Sequence, residues 1–136
     1  MRLDPEKEYR RWLKQAELDL DDARYNAEGG RYSLTCFLSQ QAAVKALKAY
    51  LYRQGNELVW GHSVAELVDD ASGADAGFKA LKEKGSFSDR FYIPTRYPNG
   101  LPGGIPSESF NEKDAQEAMG AAKDVIDAVA GKGKIA

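Results

Sequence analysis

The chain has 136 residues, of which 43% are hydrophobic and 29% charged, and its formal net charge at pH 7 is -2. These values predict one globular domain with a single core, and they exclude a disordered chain and a strongly basic protein that attracts nucleic acid over its whole surface. A single cysteine and a single histidine exclude an internal disulfide and a metal site rich in either residue.

A first helix is predicted from Pro5, because Asp4 is a good N-cap and proline fits the first helical position, whose N–H has no partner inside the helix. Apolar residues between Tyr9 and Ala27 recur at steps of three and four, which gives one apolar stripe. The glycines at 29 and 30 end the helix. We expect this helix to pack against the next one in antiparallel orientation.

The second predicted helix covers residues 31–54 and is apolar over more of its circumference than the first. Four polar residues share one narrow face of it: Gln41, Lys45, Lys48 and Tyr52. The remaining circumference is predicted to be apolar and is lined by Phe37, Ala43, Leu47, Tyr50 and Leu51. Because a small bundle has few elements to cover such a helix, we expect a second copy of the chain to cover it, which predicts a homodimer.

Two shorter helical segments are predicted after a turn. Ser63 and Glu66 have the spacing of a capping box, and the helix that they begin ends near residues 72 and 73. Residues 75–90 have a weaker apolar pattern with glycines inside it, which predicts an irregular fourth helix. His62 directly precedes the capping box, and we interpret it as support for the start of that helix.

The last predicted helix begins after an Asn111 cap and ends near Gly131, which leaves residues 131–136 as a flexible tail. No segment alternates in the manner of a strand. The chain is therefore predicted to be all-α, an antiparallel up-and-down bundle of four to five helices that forms one domain over residues 1–130. Three further residues are interpreted as core residues of this bundle: Trp12, Trp60 and Cys36.

The segment between the fourth and the last helix, residues 89–106, carries four prolines and several glycines, so it is not a regular helix or a central strand. It also contains four candidate ligand-binding residues: Arg90, Tyr92, Arg96 and Tyr97. Guanidinium groups suit phosphate and tyrosine rings stack on bases, but tyrosines beside prolines also anchor loops by burying their rings. We expect the tyrosines to anchor the loop and the arginines to face solvent or a ligand. The same arginines are expected to form a positive concavity with Lys45 and Lys48.

Four segments occur in an order that is typical of one family. They are YSLTCFLSQQAAVKALKAYL at 32–51, GHSVAELV at 61–68, YIPTRYP at 92–98 and DAQEAMGAAKDVID at 114–127. Together they resemble the HEPN domain, named for higher eukaryotes and prokaryotes nucleotide-binding. The resemblance implies an antiparallel helical bundle that is commonly dimeric. For prokaryotic members it also implies complexes with a minimal nucleotidyltransferase and, in several branches, toxin–antitoxin pairs.

The resemblance also implies a motif to test, because catalytic members of the family are metal-independent ribonucleases with an arginine followed about four to six residues later by a histidine. The nearest arginine before His62 is Arg53, and eight residues separate the two, so the spacing fails. Arg90 is followed after six residues by Tyr97, whose phenol is a poor base at neutral pH. We therefore expect no catalytic residues, no metal and no cofactor.

The favoured hypothesis is a cytoplasmic, non-catalytic module that binds a nucleotide or an RNA phosphate and acts with a nucleotidyltransferase partner in a toxin–antitoxin type pair. Its ligand residues are the loop arginines and tyrosines together with Lys45 and Lys48. Two alternatives stay open: a divergent metal-independent ribonuclease toxin in which two copies join their Arg96 and Tyr97 loops, and a structural helical partner subunit. No apolar run reaches the roughly 20 residues that span a bilayer, and the start of the chain lacks a signal-peptide pattern, so we expect no membrane association.

Overall fold

The computed structural model describes residues 3–133 of the chain. Within this range it contains six α-helices and no β-strand, which confirms the all-α prediction. The helices are α1 (Pro5–Glu28), α2 (Tyr32–Arg53), α3 (Val64–Ala74), α4 (Lys82–Asp89), α5 (Pro106–Ser109) and α6 (Glu112–Gly133), and a 3-10 helix at Ala76–Leu81 precedes α4. None of the helices in this range is both long enough and apolar enough to cross a membrane.

The first two helices form the antiparallel pair that the sequence predicts. α1 begins after the Asp4 carboxylate, which accepts hydrogen bonds from two backbone N–H groups of the first turn. Near the connection between the helices, the Thr35 hydroxyl donates to the carbonyl of Ala23 at 2.9 Å. At the opposite end of the pair, the ring centroids of Trp12 and Tyr52 are 5.3 Å apart. Contacts at both ends show that α1 and α2 run alongside each other over most of their length.

α2 lies at the centre of the bundle and packs against α1, α3 and α6. Its apolar side chains, among them Ala43, Leu47 and Leu51, are buried by these neighbours. Removal of such apolar surface from water is the main stabilising contribution in a small bundle. The wide apolar circumference of α2 is therefore covered within one chain, and the expectation that a second copy covers it is wrong. The homodimer itself stays a prediction that needs another surface.

The segments between α2 and the loop follow the predicted order. The Ser63 hydroxyl accepts a hydrogen bond from the N–H of Glu66 at 3.1 Å, which confirms the cap of α3, and the helix continues slightly past its predicted end to Ala74. The predicted irregular fourth helix is a 3-10 helix followed by α4. A side chain at Gly85 would meet the backbone of Ala65 at 3.1 Å, so glycine lets α4 approach the start of α3 closely.

The last helix also begins with its predicted cap. The Asn111 side chain accepts from the N–H three residues later, and the carboxylate at that later residue accepts from the N–H of Asn111, each at 2.9 Å. The helix continues two residues past its predicted end near Gly131, to Gly133, and the remaining residues of the predicted tail, 134–136, lie outside the described residues. The preceding loop contains two short helical segments that were not predicted, α5 and a 3-10 turn at Pro98–Gly100.

The three residues interpreted as core residues differ in their burial. Cys36 is buried, and burial, followed by the nearby charge of Asp114, raises the pKa of its thiol to about 12, which is the behaviour of a core thiol. Trp12 is half-buried and packs on the main core. Trp60 is 77% exposed, so its interpretation as a core residue is wrong. It belongs to the segment between α2 and α3, whose side chains mostly face solvent.

Candidate functional site

The loop after α4 brings four side chains together on the surface of the bundle. The ring of Tyr92 stacks on His62, with centroids 5.2 Å apart and planes 13° apart, and on Phe37, at 6.3 Å and 19°. The guanidinium carbon of Arg96 lies 4.4 Å from the ring centroid of Phe37. These four residues are called the Tyr92 stack below. They come from α2, from the segment between α2 and α3, and from the loop, so only the folded chain assembles them.

Asp89, the last residue of α4, fixes the position of this loop relative to α3. Its carboxylate accepts three hydrogen bonds from the start of α3, donated by the Ser63 hydroxyl at 2.8 Å and by the N–H groups of Val64 and Ala65 at 2.7 and 3.1 Å. The fully buried amide of Gln40 donates to the same carboxylate at 3.1 Å and to the carbonyl of His62 at 2.6 Å. Asp89 therefore caps α3 from another part of the chain and connects α2, α3 and α4.

The loop buries Thr95 rather than Tyr97, and the hydroxyl of Thr95 bonds within the loop itself. Thr95 is only 4% exposed, and its hydroxyl donates to a carbonyl one turn earlier. The N–H groups of Arg96 and Tyr97 both donate to the carbonyl of Ile93, at 3.0 and 3.1 Å, which closes a tight turn. This turn directs Thr95 inward and leaves Tyr97 outside at 54% exposure, so the expectation that Tyr97 is a buried anchor is wrong. Tyr92 is half-buried in the stack.

The two arginines of the loop face solvent, as the sequence predicts. Arg96 lies over Phe37, and the guanidinium carbon of Arg90 lies 5.7 Å from the ring centroid of Phe87. Among residues 3–133, neither arginine forms an ion pair with a carboxylate. A guanidinium held against an aromatic face keeps its N–H groups available at its edge, where they match the geometry of a phosphate.

The two predicted lysines do not lie with these arginines. The Nζ atom of Lys45 is 2.6 Å from the Asp19 carboxylate of α1, and the Nζ atom of Lys48 is 5.8 Å from the ring centroid of Trp12, also on α1. The lysines follow Phe37 by eight and eleven positions, which corresponds to about 12 and 16 Å along a helix. The expected concavity of loop arginines and helix lysines is therefore wrong. The lysines contact α1, whereas the loop arginines contact aromatic rings.

Lys48 is unusual for a lysine because it is only 8% exposed. Burial, followed by the positive charge of Lys45, lowers the pKa of its ammonium group. Within the described part of the chain it forms no ion pair with a carboxylate. The carboxylate of Asp19 is already engaged, since it also accepts a hydrogen bond from Gln15 at 2.8 Å.

Two members of the stack, Phe37 and His62, were not among the predicted ligand-binding residues. Phe37 precedes Gln41 by four residues, as Gln41 precedes Lys45. Phe37 therefore lies on the same face of α2 as Gln41 and Lys45. Its assignment to the apolar circumference was wrong, and the spacing could have corrected it. For His62 no such signal exists, because its contact with Tyr92 joins segments that are far apart in sequence.

The arrangement provides two chemical capabilities. The rings of the Tyr92 stack offer a flat π surface at a solvent boundary, and Arg96 and Arg90 offer hydrogen-bond donors with positive charge. Bases stack on such rings and phosphates bind such donors. Within residues 3–133, no group of three or more histidine, cysteine, aspartate or glutamate side chains is placed to hold a metal ion.

The fold and the site define a small helical-bundle domain with an aromatic and cationic surface cluster. The family model described as the HEPN domain matches residues 9–133, and the chain belongs to this family. Comparison with curated protein sequences gave no match.

The solved structures that are similar to this chain include three proteins of comparable length. TT1696 from Thermus thermophilus is 35% identical, with 91% of this chain and 97% of that chain covered and a TM-score of 0.86. ST0689, an archaeal HEPN homologue, is 40% identical, with 91% and 96% covered and a TM-score of 0.76. The HEPN domain protein tm0613 from Thermotoga maritima is 28% identical, with 88% and 93% covered and a TM-score of 0.67. The matches confirm the resemblance that the sequence motifs indicate.

Proposed function

We propose that this chain is a non-catalytic HEPN module that binds the phosphate of a nucleotide or of an RNA at the Tyr92 stack. Arg96 binds the phosphate, Arg90 adds positive charge nearby, and Tyr92 and Tyr97 provide rings on the same loop. Lys45 and Lys48 have no part in this site, because both contact α1. The proposal also places the chain in a complex with a minimal nucleotidyltransferase, as part of a toxin–antitoxin type pair.

The observation that carries the phosphate proposal is the environment of Arg96. Its guanidinium is exposed, held against Phe37 and, within residues 3–133, without a carboxylate partner. Most other arginines of the described chain form an ion pair with a carboxylate. Arg24, for example, pairs with Asp21 at 2.9 Å. A preorganised arginine without a counter-ion is a favourable phosphate ligand, because little freedom is lost on binding.

Calorimetric titration with ATP and with inorganic tripolyphosphate tests this proposal. We expect saturable binding that weakens about tenfold or more in Arg96→Ala, since a charge-assisted hydrogen-bonded contact contributes about 1.5–3 kcal/mol. Arg10→Ala is the matched control, because Arg10 is an exposed arginine on α1 with only a 3.6 Å contact to Glu6. Equal binding by the two variants and the wild type would contradict the role of Arg96.

The proposed nucleotidyltransferase partner is supported by membership in the HEPN family. Co-expression of the chain with a nucleotidyltransferase encoded beside it, followed by size-exclusion chromatography, tests this part separately. We expect a stable complex in which both chains elute together. Separate elution would remove the partner from the proposal and leave the phosphate site untouched.

A second candidate function is a metal-independent ribonuclease, and the position of His62 favours it. The spacing of His62 from any preceding arginine does not match the catalytic motif, yet its ring lies in the same stack as Arg96. An imidazole is suited to proton transfer near neutral pH. Incubation of the pure protein with total RNA in EDTA tests this alternative. Cleavage that disappears in His62→Ala and in Arg96→Ala would replace the non-catalytic proposal.

We also propose that the chain is a homodimer that buries exposed apolar side chains of the loop region. Ile93 is 43% and Ile105 46% exposed, in a part of the chain that also carries Arg96. Apolar side chains exposed to solvent are a feature that contact surfaces share. Light scattering is expected to give twice the 15.0 kDa mass of one chain. A mass of one chain at all concentrations would contradict the dimer.

A further inference from the structure

A cavity at α1 and α2 shares no residue with the Tyr92 stack. Its volume is about 490 Å³, and it is lined by Arg11, Trp12, Lys14, Gln15, Leu18 and Lys45. We propose that this cavity, called the Trp12 cavity below, binds a small carboxylate with an apolar body, the chemistry of a medium-chain fatty acid. This second site is independent of the proposed phosphate site at Arg96.

The positive charges that line the Trp12 cavity are only partly compensated. The Arg11 guanidinium is 2.6 Å from the Glu8 carboxylate, and the Lys45 ammonium is 2.6 Å from that of Asp19. Lys14 is exposed and, within residues 3–133, forms no ion pair with a carboxylate. The cavity therefore keeps a positive charge, which favours an anionic ligand over a neutral one.

Lys48 adds a second uncompensated charge directly beside the Trp12 cavity. It is nine-tenths buried, and its Nζ atom lies 5.8 Å from the ring centroid of the lining residue Trp12. Burial, followed by the charge of Lys45, lowers the pKa of this ammonium group, and no carboxylate among the described residues pairs with it. A buried ammonium without a counter-ion is costly, so a carboxylate bound beside Trp12 and Lys45 would compensate it.

The apolar part of the ligand has a surface of its own in the Trp12 cavity. Leu18 is 47% exposed there, and the half-buried ring of Trp12 forms part of the wall. The indole N–H donates to Glu8 at 3.2 Å and the ring lies against Tyr52, so the position of Trp12 is fixed before a ligand binds. An apolar chain that covers these side chains removes their surface from water.

The size of the Trp12 cavity favours a small molecule over a partner protein. Small-molecule sites commonly measure about 300–1,000 Å³ and combine apolar walls with a few charged groups. A stable protein interface buries about 800 Å² on each partner. The exposed apolar surface here is one leucine and part of one tryptophan, which matches a single short chain.

The fluorescence of Trp12 tests the proposal with octanoate as the probe. The chain has two tryptophans, and Trp60 is 77% exposed, so Trp60→Phe leaves Trp12 as the only emitter without removing a core contact. In this background we expect octanoate to change the emission saturably. Octanamide keeps the chain without the charge and acetate keeps the charge without the chain, and both should bind at least about tenfold more weakly.

Two lysine variants separate a role in binding from a role in folding. Lys48→Met and Lys14→Ala should each weaken octanoate about fivefold or more and leave octanamide unchanged, because only the carboxylate senses the removed charge. Lys48→Arg keeps the charge and should retain the binding. Lys113→Ala is the matched control, since Lys113 is an exposed lysine of α6, 3.8 Å from Glu117, and lies on another helix.

Equal affinities for octanoate and octanamide, or equal affinities for octanoate in the three variants that lose a lysine charge, would overturn the carboxylate site. So would the absence of any saturable change in Trp12 emission. Binding of poly-glutamate in place of octanoate would also overturn it and assign the cavity to an acidic protein segment. Arg96→Ala should leave octanoate binding unchanged, whereas its loss would show that octanoate binds at the phosphate site instead.

Discussion

Two surfaces of this protein carry cationic side chains beside aromatic rings, and they differ in how those cations are used. On α1 and α2, Lys45 pairs with a buried carboxylate and Lys48 is buried against Trp12. On the loop, Arg96 is exposed over Phe37 and, within the described residues, has no carboxylate partner. The same residue types thus stabilise the bundle in one place and remain available for a ligand in the other.

The two buried or half-buried carboxylates of these surfaces show the same contrast. Asp19 accepts hydrogen bonds from the side chains of Lys45 and Gln15, and so compensates a positive charge between two helices. Asp89 accepts most of its hydrogen bonds from the residues at the start of α3, and so determines where a loop lies. A carboxylate that compensates charge contributes to stability alone, whereas one that positions backbone contributes to stability and to the geometry of a site.

The largest expected effect tests this contrast at Asp89. Asp89→Ala should lower the free energy of unfolding by about 3–4 kcal/mol, because it leaves the N–H groups of Val64 and Ala65 without their acceptor and removes one of the two acceptors of the Gln40 amide. Urea unfolding followed by circular dichroism measures the change. Asp124→Ala is the control, since its ion pair with Lys84 is half-exposed and should contribute less than about 1 kcal/mol. Equal effects would mean that Asp89 does not connect the three helices.

A smaller effect separates the two tyrosines of the loop. Tyr92→Ala should lower the free energy of unfolding by about 1–2 kcal/mol, because a half-buried ring that stacks on two others is removed. Tyr97→Ala should change it by less than about 0.5 kcal/mol, since the ring is mainly exposed. Thermal unfolding of the two variants side by side measures the difference. A larger loss for Tyr97→Ala would show that Tyr97 is buried in solution, for example by a second copy of the chain.

The smallest expected effect concerns Lys48, whose substitution should stabilise the protein, whereas the substitutions above destabilise it. The pKa of Lys48 in the folded chain lies below its ordinary value of 10.5, so the unfolded chain binds the proton more tightly. The free energy of unfolding should therefore rise as the pH increases from the folded pKa toward 10.5. Lys48→Met should remove this rise and stabilise the protein at neutral pH by up to about 1 kcal/mol.

The matched control for Lys48→Met is Lys45→Met, in which a buried carboxylate loses its partner. This variant should be less stable than the wild type at neutral pH, because Asp19 keeps only its contact with Gln15. Unfolding curves recorded between pH 7 and pH 10 compare the two variants. A loss of stability in both would show that Lys48 has a favourable partner in solution.

The candidate site was predictable only in part. The loop and its two arginines stand out in the sequence because charge and aromatic residues are rare between so many prolines, and the structure leaves both arginines exposed. The lysines were assigned to the same site because they share a helix face, but sharing a face does not determine what packs beside it. Lys48 faces Trp12 instead.

By itself the sequence determined the helices and the family. N-caps at Asp4, Ser63 and Asn111 and the apolar periodicity between them depend on residues within about four positions of each other, and such local interactions need no knowledge of the tertiary fold. The tertiary structure alone decided that His62 meets Tyr92 and that Thr95, not Tyr97, is buried. Those outcomes depend on how closely α3 and α4 approach and on the direction of one turn, and packing between distant segments sets both.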